Sequence, residues 1–494
     1  MSHTSRRRTT AALAGVTTAL ATTATLSLVA VGGAEAAEPA PYSPIVVHAP
    51  DKITVESYGR GDRVYSNFGL AFVADQAPFE VWSTRAADYD TPISTSWKSG
   101  AYGGTLPEGT VSTFRGLDGF VSVDITRVSD GSSVLSRTMD SCLNTWSAQR
   151  IRPDASAYSP YPQSCPWNPY TLGSVMGIQQ GWAAPLTEEW ESSYRLKPGR
   201  YDVTAAISPT WRTALGISDV DGVKTVRVKV VDGNGRVAAQ PTTGEGVAPR
   251  PAAHRPSGPS ALPAPDGPAP DLRSLPAFGI GIGGKGTTLR FGATTWNGGD
   301  SPLVVDGFRS ETDPDAMDAY QYFFDQDGNQ VGYQPVGEMH WHAANHNHWH
   351  FEDFAQYNLL AADMSQVVKS TKQSWCLANT DAVDFTVDGA DWRPENTDLS
   401  TACGGYDALS IREVLSSGSG DTYYQYRAGQ AFRIKNVPNG IYYISVEANP
   451  LGNLYELDET NNDSLRKIRI GGKGETRWVR TFQVGLVQDD MGGF

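Results

Sequence analysis

Between positions 234 and 270 the chain carries a run of Pro, Gly, Ala and Ser with two Pro-Ala-Pro repeats, Pro263-Ala264-Pro265 and Pro268-Ala269-Pro270. Such a stretch cannot bury apolar side chains and lacks many backbone donors, so it reads as an extended, partly polyproline linker. It divides the 494 residues into two pieces, each long enough for its own core. On both sides apolar and polar residues alternate with period two between clusters of Gly, Pro, Asn and Asp. Before the linker these runs include Ile45–Val47, Lys52–Val55, Gly119–Ile125 and Val223–Val231; after it, Thr287–Phe291, Phe432–Ile434, Gly440–Val446 and Leu465–Ile470. Alternation of this kind predicts half-buried strands. The expectation is an all-β chain of two β-sandwich-like domains, 37–233 and 271–494, joined by the linker. Two long irregular loops, 363–368 and 391–415, are expected in the second domain, and loops of that kind tend to be functional.

The first 36 residues have the plan of a secretory signal: Arg6, Arg7 and Arg8, then an uncharged apolar and small-residue stretch from Ala11 to Val31, then Ala34-Glu35-Ala36 before a cleavage point. A membrane anchor is the alternative, disfavoured by the many Thr and Ala residues. No later stretch is long and apolar enough to span a bilayer, so the exported body is expected to be free of the membrane. Its acidity excludes nucleic acid as a partner: the formal charge is −14, and removing residues 1–36, with three Arg and one Glu, leaves −16. The same charge would steer cationic substrates inward, or simply keep the protein soluble. Four Cys allow three pairings. Export and economy favour one disulfide per domain, Cys142–Cys165 and Cys376–Cys403.

Chemistry concentrates in one window. Five of the eight His fall between positions 340 and 350: His340, His342, His346, His348 and His350. The last three are spaced i, i+2, i+4, which in an extended segment puts them on one face, about 6.5–7 Å apart at the backbone. Three imidazoles so placed can surround one ion. Neutral imidazole suits both copper and zinc, so the spacing leaves open redox chemistry or a zinc-activated water.

The residues around this window resemble the lysyl oxidase family, in its leaner bacterial secreted form. The similarity runs through Met339-His340-Trp341-His342 and His346-Asn347-His348-Trp349-His350, then Phe354–Leu360 and Lys372-Gln373-Ser374-Trp375-Cys376-Leu377. It continues through Asp421-Thr422-Tyr423, Gly429-Gln430, Phe432-Arg433-Ile434, Glu447-Ala448-Asn449-Pro450, Glu456-Leu457-Asp458 and Asn461-Asn462, in the family's order. The resemblance implies Cu(II) bound by His346, His348 and His350, with His340 and His342 orienting ligands or supplying a fourth. It implies a self-made cofactor, lysine tyrosylquinone, from Lys372, four residues before Cys376, and Tyr423, which closes the Asp-Thr-Tyr turn. Lys369, Tyr424 and Tyr426 are the competing neighbours. The implied reaction converts primary amines, peptidyl lysine or small amines, to aldehydes with O2, releasing H2O2 and ammonia. A structural Ca2+ is implied at Asp271, the Leu272 carbonyl, Glu456, Asp458, Asn461 and Asn462. Hard oxygen donors suit that ion.

The chain departs from the pattern in places. One extra residue separates His342 from His346, one is missing after His350, and Gln356 stands where animal members have a His. The base for the α-proton is therefore open, with Glu352 and Asp353 the nearest carboxylates. The alternatives in other classes are a secreted zinc hydrolase and a metal-binding structural protein. Neither gives Lys372 or Tyr423 a role.

Overall fold

A computed structural model describes residues 42–187, 192–233, 255–325, 327–342, 347–370, 372, 374–393, 401–427 and 429–487. The expected signal segment and its cleavage site lie outside these residues, as does the part of the expected linker before Arg255. Among the described residues the fold is all-β, with two short helices, Pro209–Leu215 and Asp219–Gly222, interrupting the strands. Both are too short to stand out in the sequence as a helical repeat. No helix among the described residues is long and apolar enough to cross a membrane.

In the first β-rich segment a five-stranded sheet runs Lys52–Ser57, Val223–Asp232, Gly199–Ile207, Leu117–Arg127, Ser133–Ser141. Its inward residues, Val121, Val123, Ile125, Val203, Ala205, Val226 and Val228, alternate with exposed ones and close a core with Phe72, Phe79 and Phe120. That is the period-two pattern made physical. Cys142 and Cys165 are disulfide-bonded across this segment, Cα atoms 5.9 Å apart.

The second segment holds three sheets. One runs His348–Phe351, Gln330–His342, Ala316–Phe324, Leu303–Arg309, Ser410–Leu415; a second runs Gln366–Lys369, Ala355–Ala361, Gly440–Ala448, Asp463–Gly471, Trp478–Thr481. The third is built on the long strand Thr288–Asn297, which pairs with Leu272–Ser274 and with Ser419–Tyr423. Their inner faces share an aromatic and aliphatic core including Phe291, Tyr357, Trp375, Phe432 and Ile444. The expected loop 363–368 is largely a hairpin, because Gln366–Lys369 pairs back onto Ala355–Ala361. The Asp363 side chain accepts from the Ser365 N–H and hydroxyl, an Asx turn that a reading by hydrophobic period overlooks. The loop 391–415 likewise ends in a strand, Ser410–Leu415. Residues 255–270 of the expected linker lie against the second segment: Ala261 exchanges backbone hydrogen bonds with Tyr333, and Arg255 pairs with Asp318.

Within the first of these sheets Asp306 and Arg412 are cross-strand partners and form a buried bidentate pair, Nε to Oδ1 at 2.7 Å and Nη2 to Oδ2 at 2.8 Å. Two desolvated charges tolerate each other only as a pair. Asp306→Ala should therefore cost about 3–5 kcal/mol in urea unfolding. A loss under ~1 kcal/mol, the size of an exposed pair, would show that the guanidinium finds water instead.

Candidate metal and amine-oxidation site

The His window folds as a β-hairpin. His340 lies opposite His350 and His342 opposite His348 in register, so all four positions occupy one face. The other face holds Trp341 and Trp349, whose rings pack 5.6 Å apart in the core. Asn347 takes a left-handed backbone (φ 55°) just before the second strand, a conformation Asn tolerates better than most residues. His346 lies outside the described residues.

His350 is almost fully buried, and its Nδ1 lies 3.3 Å from the Ser374 hydroxyl. Its Nε2 sits 2.9 Å from Nε2 of His348. Two ring nitrogens that close together converge on one point, where a single ion could be held by both, and neutral imidazole suits copper or zinc. With Nδ1 held by a hydroxyl, Nε2 is the nitrogen left to ligate. The donor set therefore fits the ion the resemblance implies. His340 is more exposed and pairs with Glu338 at 3.2 Å.

Ser374 belongs to the segment that carries Lys372. Two backbone hydrogen bonds tie this segment to the His strand: Phe351 N–H to Trp375 O at 2.7 Å, and Trp375 N–H to Phe351 O at 3.0 Å. The Cys376–Cys403 disulfide anchors its far side. Lys372 is thereby turned inward. It is buried, with Nζ 4.0 Å from the centroid of the Tyr423 ring and 5.3 Å from that of Trp375. Trp375 in turn meets Tyr423 edge to face at 4.2 Å. Tyr423 ends the strand Ser419–Tyr423, paired with Ala293, and its carbonyl accepts from Gln430 Nε2 at 2.9 Å.

Both groups pay in solvation. Burial lowers the Lys372 ammonium to about 8, Asp421 opposing this and Arg427 assisting. Burial raises the Tyr423 phenol well above its ordinary value, and Asp421 raises it further. Asp421 itself is fully buried, two residues back along the same strand, and lacks a well-formed hydrogen bond to either oxygen among the described residues. Burial holds its carboxyl well above the ordinary range, while Lys372, the Ala378 N–H and the Thr380 hydroxyl draw it back down. Glu413, also buried, accepts from the Leu377 N–H at 2.9 Å and is held high by burial.

The competing residues sit elsewhere. Tyr424 turns away from the Lys372 face, stacking on Tyr426 at 5.7 Å and meeting Phe278 edge to face. Lys369 is exposed on a hairpin strand. Gln356 faces away from the aromatic cluster: its neighbour Tyr357 packs on Trp375, while Gln356 pairs in register with Glu447 on the opposite face. Glu352 is partly buried and raised by desolvation, with Asp353 adding to the rise and His340 and Lys372 opposing it; Asp353 has a left-handed backbone (φ 56°). Sequence reasoning gave no role to Ser374, Trp375, Asp421 or Glu413. The first three stand inside quoted motifs, where neighbours of assigned residues could have been weighed. Glu413 carries no local signal.

Of the expected calcium ligands the structure joins Asp271 to Asn461 and Glu456 to Asn462, and it brings the Leu272 N–H, not the expected carbonyl, to Glu456. Glu456 accepts from the Leu272 N–H (2.8 Å), Asn449 (2.6 Å) and Asn462 (2.8 Å). Asn461 donates to Asp271 at 3.1 Å, and Arg273 also reaches Asp271 at 2.6 Å. The side-chain oxygens of Asn461 and Asn462 are buried with no hydrogen-bond partner among the described residues. Asp458 stands apart, accepting from the N–H and hydroxyl of Thr460 in its own turn.

An all-β domain with a His hairpin stitched to a buried Lys–Tyr pair defines a narrow class. Residues 330–480 match the lysyl oxidase family model. Lysyl oxidase homolog 4 of Mus musculus is 27% identical over 160 residues, 32% of this chain and 19% of that protein. Lysyl oxidase homolog 3B of Danio rerio is 29% identical over 160 residues, 32% of this chain and 18% of that protein. The match thus spans under a fifth of either relative. The chain carries a lysyl oxidase family domain in its carboxy-terminal part.

The buried amine has a thermodynamic signature. Folded Lys372 loses its proton near 8, whereas the ordinary value is 10.5, so stability should rise as pH climbs between these values. The gain is on the order of 3 kcal/mol. Lys372→Met keeps the length without the charge and should lack that rise. Urea unfolding of both metal-free proteins from pH 7 upward checks it; parallel curves would contradict a buried ammonium.

Proposed function

We propose that this chain is a secreted, copper-dependent amine oxidase acting on primary amines, lysyl side chains or small amines, with Lys372 and Tyr423 joined in its working form as lysine tyrosylquinone. The observation that carries this reading is the Lys372 Nζ over the face of the Tyr423 ring. An amine adds to a quinone carbon from the π face, so the approach is already made. Copper at His346, His348 and His350 would supply the oxidation of the phenol by O2. The residues of the chain do the remaining work. Burial makes Lys372 a neutral nucleophile at a pH where exposed lysines are charged. The edge of Trp375 fixes the ring plane. Glu352, partly buried and raised by desolvation above the ordinary carboxylate range, is the group we assign to accept the α-proton of a bound amine. The acidic surface favours cationic substrates, and two disulfides accord with export. A zinc hydrolase would leave the Lys372–Tyr423 contact without purpose.

Copper loading in air followed by peptide mass spectrometry should show the Lys372 and Tyr423 peptides linked, with H2O2 produced from a primary amine. Lys372→Arg and Tyr423→Phe should bind copper normally, form no link and lose amine-dependent H2O2. Full activity in either variant would overturn the reading. The link should also form faster as pH rises through about 8, since only the neutral amine adds.

We also propose that Asp271, Leu272, Glu456, Asn461 and Asn462 hold Ca2+, with Asp458 joining once released from its turn. Ca2+ should raise the melting temperature over chelator-treated protein, because a ligand of the native state stabilises it by mass action. Identical melts would reject this site.

A further inference from the structure

The amino-terminal segment reaches into the back of this site. The described residues belong to one contact unit, 37–494, and the seam within it is specific. Leu172 and Gly173 donate backbone hydrogen bonds to Val383 O at 2.7 and 3.1 Å, and Phe385 donates to Gly173 O at 3.1 Å. A side chain at Gly173 would strike Asp384, its Cβ 2.1 Å from Oδ1. Next to this seam the buried Asn168 extends its amide between strands of the other segment.

Asn168 Nδ2 donates to Thr294 Oγ1 at 2.8 Å and lies 3.5 Å from Asp381 Oδ2. Thr294 Oγ1 is 2.7 Å from Thr422 Oγ1, and the Thr422 hydroxyl donates to Asp381 Oδ2 at 2.7 Å. The ends of this chain fix its polarity. An amide NH2 only donates and a carboxylate only accepts, so the protons run from Asn168 to Thr294 to Thr422 to Asp381. Asn168 is held in place by its own carbonyl, which accepts from the Tyr170 N–H at 2.9 Å. Thr422 is the residue before Tyr423, on the opposite face of the same strand.

We propose that Asn168 is a positioning residue for Tyr423: through Thr294 and Thr422 it clamps the strand that presents the ring to Lys372, which makes the segment before the Pro-rich stretch a working part of the site. This rests on the amine-oxidase reading for its purpose but not for its geometry. Pairing with Ala293 and the Gln430 bond to its carbonyl hold Tyr423 from one side; the relay holds the strand's opposite face, and the ring must keep its face to Nζ for the link to form.

The full chain is the test object, with Asn168→Ala, Thr294→Val and the double variant. Thr294→Val leaves the seam intact and removes only the relay hydroxyl. In the copper-free protein, amide hydrogen exchange in Ser419–Tyr423 should accelerate in both single variants, with Gly440–Ala448 unchanged. On copper loading in air, Lys372–Tyr423 link formation should slow about tenfold, the order expected for one lost buried hydrogen bond, at unchanged copper content. The double variant should be no slower than either single one, because the two residues act in series. Wild-type exchange and wild-type link rate in Asn168→Ala would overturn the clamp, as would effects that multiply in the double variant. If wild-type protein forms no link at all, the oxidase reading fails, and the exchange data alone decide the clamp.

Discussion

Two backbone hydrogen bonds between Phe351 and Trp375 hold the functional region together. They join a hairpin strand rich in His to the segment after Ser370, alongside the packing of Trp375 into the core that Phe351 shares. Through them Ser374 reaches His350, Trp375 reaches Tyr423, and Lys372 is turned into the core instead of toward water. The disulfide from Cys376 to Cys403 restrains the same segment from its other end. Without that stitch Lys372 would be a surface lysine like Lys369, and the two imidazoles would have no oriented partner.

Burial dominates the electrostatics. Lys372, Tyr423, Asp421 and Glu413 are all pushed toward their neutral forms by desolvation, with charge–charge contacts a smaller correction. Each of these groups is therefore biased toward its neutral form, and Lys372, lowered to about 8, yields its neutral amine at a pH where exposed lysines stay charged. An exposed Lys–Tyr contact would keep its ammonium and be unreactive. The cost is borne by the surrounding aromatic core, in which Phe291, Phe432, Tyr357 and Trp375 pack at 4.7–5.7 Å.

Much of this was legible in the sequence, for identifiable reasons. Strands such as Gly440–Ala448 and Val223–Asp232 show a clear period-two pattern. The His spacing predicted an extended, one-faced segment, and the hairpin register puts positions 348 and 350 on one face. The choice between Tyr423 and Tyr424 was not legible from composition, because adjacent residues differ only in which face of a strand they take. The strand Gln366–Lys369 was missed because an Asx turn at Asp363 closes a hairpin whose strands are short and half-polar. Asp421 and Glu413 were missed for a deeper reason. A carboxylate reads as surface in any one-dimensional scan, and only tertiary packing reveals that it is buried without full partners.

The cofactor proposed for Lys372 and Tyr423 would place an unusual demand on the fold. The two precursors come from elements 51 positions apart in sequence, yet they must meet at bonding range before any chemistry begins. Such an encounter is intramolecular, and correct orientation alone can be worth effective concentrations of about 10⁵–10⁸ M. That gain exists only if neither partner wanders. Lys372 is held by a backbone stitch and a disulfide, both within its own segment. Tyr423 sits at the last position of a short strand, where fraying is cheapest, so its restraint must come from outside. The long strand Thr288–Asn297 gives one side of it, by pairing Ala293 with Tyr423. The hydroxyls of Thr294 and Thr422, backed by groups on either side, supply the other. The restraint on the Lys372–Tyr423 contact is thus spread over strands from across the chain.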